Sequence, residues 1–140
     1  MTTTQRPPTV GDLMTPDPIV IRADAPLAEA VGIFDLSRVH GLPVVDAGGL
    51  LVGVLSQTDL VRARATEHLW SSWPGLAVRH LMTSPALTAV ATMGVDEAAR
   101  LMEERHVHRL VVVGEDEETP IGVISAGDIV RAMAEAIRDA

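Results

Sequence analysis

Residues 53–63 read GVLSQTDLVRA, and residues 122–132 read GVISAGDIVRA. Seven of the eleven positions are identical and two more exchange Leu for Ile. Each copy keeps a Ser and an Asp three residues apart. The match continues towards the N-terminus. DLMT at 12–15 answers HLMT at 80–83, an offset of 68 (82 − 14). LAEAV at 27–31 answers VDEAA at 95–99, and HGLPVV at 40–45 answers HRLVVV at 108–113, at the same offset. The last block is offset by 69 (128 − 59), because EDEETP at 115–120 carries one extra residue. The chain is therefore two copies of one unit, divided as an N-terminal tail (1–9), a first unit (10–63), a linker helix (64–77) and a second unit with the C-terminal helix (78–140). A unit this short rarely buries its own apolar face, so pairing with its twin is expected.

The residues between these blocks set the elements. Ile19 to Ile21 and Leu87 to Val90 are expected as short strands. Leu27, Val31 and Phe34 at i, i+4, i+7 predict a helix with one apolar face, and Val95, Ala99 and Met102 repeat it. Pro26 falls near the start, where its ring is tolerated. Leu42 to Val45 and Leu50 to Leu55 form a hairpin around the turn Asp46-Ala47-Gly48-Gly49. Leu110 to Val113 and Ile121 to Ile124 form its counterpart around an acidic turn. A helix from Ser56 closes the first unit, and Asp128 to Arg138 closes the second. The order is β-α-β-β-α twice, a mixed α/β (α+β) fold. Both hairpin strands are almost wholly apolar, which predicts sheets covered on both faces.

Composition narrows the function. Hydrophobic residues make up 47% of the 140, ample for a packed interior. Aromatics are 2%, so the core must be aliphatic. The formal charge of −8 opposes binding to nucleic acid or to an anionic membrane surface. With no Cys, neither a disulfide nor a thiolate metal site can form. The N-terminus lacks a leader's apolar region, and no run approaches the roughly 18 apolar residues of a membrane span. A cytoplasmic protein is expected. No nucleophile motif or phosphate loop occurs, and Lys is absent, so no catalytic residue is assigned and the chain is expected not to be an enzyme. His106 and His108 would share a face if extended; no third ligand stands at a useful spacing, so no metal is expected.

The three blocks DLMT/HLMT, HGLPVVD/HRLVVV and GVLSQTD/GVISAGD, in order and twice, resemble the CBS domain. The resemblance covers nearly the whole chain outside the tail and linker. It implies two units packed through their sheets with pseudo-two-fold symmetry, a Bateman module. Clefts between the units would bind an adenosine-containing ligand: AMP, ADP, ATP or S-adenosylmethionine. It further implies that Asp59 and Asp128 accept from ribose hydroxyls and that Ser56 and Ser125 contact ribose or phosphate. His40, His108 and Arg109, just before the strand, would face the phosphates, and Ile19, Pro43, Leu87 and Val111 would hold the adenine. Arg109 could make a forked phosphate contact where the first unit has Gly41.

The residues fit that chemistry, and they also fit a plainer one. Gly53 and Gly122 would let the chain approach a ligand closely. Ser56 and Ser125 stand at strand-to-helix junctions, where free N–H groups suit an anion. A carboxylate can accept from two vicinal hydroxyls at once. Yet Ser-x-x-Asp is equally a capping box, with Asp at N3 favouring the helix dipole. Ser can cap while Asp faces a ligand, so both readings stand. The linker holds Trp70 and Trp73, at i, i+3, which either cover a module edge or anchor a partner. Ile129, Met133 and Ile137 of the last helix make a stripe suited to a dimer. The expectation is a regulatory module with no obligatory cofactor and an adenine nucleotide as regulatory ligand. It would act as a homodimer on a separate effector protein, its two units using up the chain. The alternative is a ligand-free adaptor for dimerisation.

Overall fold

The computed structural model describes residues 6–140; the first five residues of the expected tail lie outside the described residues. The chain divides into two compact units. One is continuous, Pro18–Ala86. The other joins Leu87–Ala140 to the segment ending at Asp17.

The continuous unit holds β2 (Ile21–Arg22), α2 (Leu27–Leu36), β3 (Gly41–Val45), β4 (Leu51–Ser56), α3 (Gln57–Ala65) and α4 (Glu67–Ser71). Its sheet order is β2-β3-β4, parallel then antiparallel. The discontinuous unit holds α1 (Val10–Leu13), β1 (Thr15–Pro16), β5 (Thr88–Val90), α5 (Val95–Arg105), β6 (Arg109–Val113), β7 (Pro120–Ser125) and α6 (Ala126–Asp139). Its sheet runs β1-β7-β6-β5.

These units are not the sequence repeats. Each repeat opens with an LMT arm that packs in the unit containing the other repeat's hairpin. Thr15 of the first repeat pairs with Val123 on β7. Thr83 of the second repeat bridges Val54 on β4, its N–H donating to Val54 O at 2.8 Å and its carbonyl accepting from Val54 N at 2.9 Å. The arms are held alike. Val10 N and Gly11 N donate to the carbonyls of Met93 and Ala91; Val78 N and Arg79 N donate to those of Ala25 and Ala23. Val10 and Val78 are both wholly buried, each contributing about 1.5–3 kcal/mol of apolar burial.

The close approach of the arms explains Gly53 and Gly122. A Cβ on Gly53 would sit 2.7 Å from Thr83 O and 2.9 Å from Met82 Sδ; one on Gly122 would sit 2.6 Å from Met14 Sδ and 3.0 Å from Thr15 O. What these glycines admit is a methionine side chain and a threonine carbonyl of the neighbouring arm.

The expected elements form with three adjustments. Ile19 and Val20 fall outside any strand and are 44% and 40% exposed. In the other unit Thr88 pairs with Val111, and Val111 N donates to Leu87 O at 3.2 Å. The equivalent of Val111 is Pro43, which has no N–H to donate, so β2 starts one residue later. The helices bury i, i+3, i+7: Leu27, Ala30 and Phe34 in α2, and Val95, Ala98 and Met102 in α5. Val31, expected on the apolar face, is 38% exposed. In the hairpins only the first strands are wholly buried beyond their first residue; β4 and β7 fully bury only alternate positions, Gly53 with Leu55 and Gly122 with Ile124.

Turn chemistry matches in the two hairpins despite the extra residue. Asp46 Oδ1 accepts from Gly48 N and Leu50 N, and Asp116 Oδ1 from Glu118 N and Thr119 N. Gly49 takes the left-handed conformation in one turn and Glu117 in the other. In the linker the Trp70 and Trp73 rings stack with centroids 5.0 Å apart, and Arg64 lies 4.8 Å above Trp70. Trp73 packs, partly buried, on the core of the continuous unit, while Trp70 is 37% exposed. Among the described residues no helix is long and apolar enough to cross a membrane.

Candidate functional site

The two Ser-x-x-Asp segments occupy matching positions. Ser56 and Ser125 are the last residues of β4 and β7 and the N-caps of α3 and α6, with extended backbone near φ −113°, ψ 163° and φ −117°, ψ 163°. The serine hydroxyl accepts from the N–H of Asp59 or Asp128 at 3.2 Å. In return, Asp59 Oδ2 accepts from Ser56 N at 2.8 Å and Ser56 Oγ at 3.0 Å, and Asp128 Oδ2 accepts from Ser125 N at 2.8 Å. Both are complete capping boxes.

Two aspartates in short helices could simply be solvated. These are 5% and 7% exposed. Burial of a charge requires compensation, and the cap supplies it through one oxygen of each carboxylate. The other oxygen, Oδ1, receives an arginine from the next turn: Arg62 at 3.2 Å from Asp59, and Arg131 on Asp128. Those arginine side chains remain 69% and 64% exposed. Sequence reading missed both, although the signal was present: VRA follows Asp-Leu or Asp-Ile in each copy.

Strand alternation sorts the remaining candidates. Leu110 and Val112 belong to the core formed with α5 and α6, so Arg109 and Val111 project from the opposite face of β6. Arg109 lies directly across from Ser125 in the antiparallel pair, which places their side chains as cross-strand neighbours. Arg109 is half-buried, and burial pushes its guanidinium below its ordinary pKa. Among the described residues it has no ion-pair partner: the arginines so paired are 6, 22, 62 and 131. In the continuous unit the residue opposite Ser56 is Gly41. A cation thus stands across the strand pair from the cap serine of α6, where the position across from the cap serine of α3 is a glycine.

The other predicted residues are less concentrated. His40 and His108 have exposed side chains, and their carbonyls accept from Gln57 N at 3.2 Å and Ala126 N at 2.8 Å, tying each loop to the following helix. Pro43 and Val111 are buried, Leu87 packs partly buried on the core of its unit, and Ile19 is exposed. A cleft of about 450 Å³ between α5 and α6 is lined by Met102, His106, Val107, His108, Ala126 and Ile129. Of the predicted site residues it includes only His108, and no metal-binding cluster occurs among the described residues.

The CBS domain family matches residues 10–66 and again 78–135. An uncharacterized protein of Methanocaldococcus jannaschii, MJ1426, is 28% identical over 89% of this chain and 90% of its own. The chloroplastic CBS domain-containing protein CBSX2 of Arabidopsis thaliana is 31% identical over 94% of this chain, which spans 66% of its length. A crystal structure of CBSX2 in complex with AMP superposes with a TM-score of 0.79 at 33% identity, covering 92% of this chain and 98% of that one. The CBS domain pair of protein MJ0100, in complex with 5′-methylthioadenosine and S-adenosyl-L-methionine, superposes with a TM-score of 0.83 at 25% identity, covering 94% and 99%. The chain spans only about a fifth to a quarter of the inosine-5′-monophosphate dehydrogenases it also matches. With both repeats matched and the buried Ser-x-x-Asp pair in each, this chain belongs to the CBS domain family as a tandem pair.

Proposed function

We propose that the chain is a regulatory module that binds an adenosine-containing nucleotide, and that its stronger site is at the start of α6. The observation that carries this reading is Arg109: a half-buried cation with no carboxylate partner among the described residues, cross-strand from Ser125. An unpaired cation held partly out of water favours an anion as partner, and a guanidinium matches a phosphate through two parallel bonds. Asp128, three residues after Ser125, supplies an acceptor for ribose hydroxyls. The complexes of CBSX2 with AMP and of the MJ0100 pair with S-adenosyl-L-methionine support the ligand class. No obligatory cofactor is needed, and the role is sensing rather than catalysis, with output to a separate effector protein.

Calorimetric titration with adenosine, AMP, ADP, ATP and S-adenosylmethionine tests this. Arg109→Gly, which copies Gly41, should weaken AMP far more than adenosine; Asp128→Asn should weaken both. Absence of heat with every ligand, under conditions where the protein is folded, would refute the reading and favour the adaptor.

A second reading concerns assembly. Ile129, expected on the outer stripe of α6, turns onto the core, and the exposed stripe is Val130, Met133 and Ile137 at 62%, 59% and 73%. Three large apolar residues on one helix face support a homodimer. Met133→Asp should convert a dimer to a monomer in sedimentation; a wild-type monomer at all concentrations would end this reading.

A further inference from the structure

Arg62 and Arg131 occupy the same place in both units, and nothing so far gives them a purpose. Each carboxylate has one oxygen committed to its cap and one, Oδ1, whose protein donor is the arginine of the next turn. The carboxylates are buried while the guanidinium side chains are mostly solvated. The arginine therefore stands on the solvent side of the only carboxylate oxygen not committed to the cap. It can leave without freeing the helix N-terminus, because the cap is held by the other oxygen and the guanidinium itself is mostly solvated. The cap cannot leave without freeing the helix N-terminus.

We infer that Arg62 and Arg131 act as internal competitors for the ribose site: each guanidinium occupies the carboxylate oxygen that a ribose diol requires and must swing off it when a nucleoside docks. This rests on the nucleotide-binding reading above. The arginines are positioning residues that set the affinity and make it depend on ionic strength. Salt weakens the resident ion pair, so adenosine, which carries no charge, should bind more tightly as salt rises. Without the arginine that dependence should vanish.

The experiment is calorimetric titration of adenosine into wild type, Arg62→Gln, Arg131→Gln and the double variant, at low and high NaCl. Glutamine keeps helix propensity and removes the charge. A pair whose cation is mostly solvated corresponds to about a two- to fivefold change in affinity. The expected result is adenosine binding two- to fivefold tighter in the variants at low salt, converging with wild type at high salt. Equal or weaker adenosine binding in the variants, with unchanged salt dependence, would overturn the inference while leaving nucleotide binding intact. Failure of wild type and variants alike to bind any adenosine compound would overturn both. Unchanged helical circular dichroism in Arg62→Gln and Arg131→Gln separates these outcomes from misfolding.

Discussion

Replacing Gly53 with Ala adds one methyl group where the structure has no room for it. The new Cβ would lie 2.7 Å from the carbonyl oxygen of Thr83 and 2.9 Å from Met82 Sδ. The methionine end can rotate away; the carbonyl cannot, because it accepts from Val54 N at 2.9 Å while Thr83 N donates to Val54 O. Separating them strains or breaks two backbone hydrogen bonds, each contributing about 1 kcal/mol, on top of an overpacking cost of about 1–3 kcal/mol. Reduced chain entropy in the unfolded state returns about 0.4–1 kcal/mol. The net loss should be about 2–4.5 kcal/mol, or roughly 6–18 °C in Tm for a chain this size. At Gly122 the closest atom is Met14 Sδ at 2.6 Å, with Thr15 O at 3.0 Å. Rotation of Met14 relieves most of the clash, so Gly122→Ala should cost only about 1 kcal/mol. Urea denaturation of both variants measures this directly. Equal stability of Gly53→Ala and wild type, or a larger loss at Gly122 than at Gly53, would refute the idea that the arms dictate these glycines.

Further outcomes follow from the same structure. Ser56→Ala and Ser125→Ala should each cost about 1 kcal/mol in urea denaturation, since each removes a helix cap. A fragment of residues 18–86 should show a cooperative unfolding transition, whereas residues 10–66, which match the sequence repeat but lack the Val78–Thr83 arm, should not; circular dichroism melts compare them. The Arg6 guanidinium, 2.9 Å from both oxygens of Asp12, with a further hydrogen bond from Thr9 N, holds the Asp12 carboxyl at about 2. A depressed carboxylate stabilises the fold above its unfolded pKa of about 3.9, and that contribution is lost as pH falls towards 2. Arg6→Gln should move the Asp12 midpoint upward in a carboxyl-detected NMR titration.

Much of the fold was legible because the repeat aligned every element twice, and strand–helix–hairpin–helix follows from apolar spacing and turn residues. The exchange of arms was not legible. An offset of 68 establishes that Thr15 and Thr83 are equivalent, but it is the same whichever hairpin each arm joins. The approach of the arms to the two glycines is hidden for the same reason: nothing local in GVLS or GVIS names the backbone that approaches it. The late start of β2 could have been read from Pro43, a residue without an N–H opposite a strand that needs one. The helix stripes erred because Ala30 and Ala98, though small, lie against the sheet while the larger Val31 looks outward. At the site, Ser-x-x-Asp spacing gave the capping box correctly. Arg62 and Arg131 escaped notice because an i, i+3 ion pair on a helix is ordinarily a surface detail; only burial of the aspartates gives it meaning.

A crystal grown with AMP would show whether the nucleotide docks at the start of α6. Electron density for the ribose is expected within hydrogen-bonding distance of Asp128 Oδ1, with Arg131 displaced and the phosphate bridged by Arg109. AMP bound away from the start of α6, or density absent at saturating AMP with Arg131 still on Asp128, would contradict it.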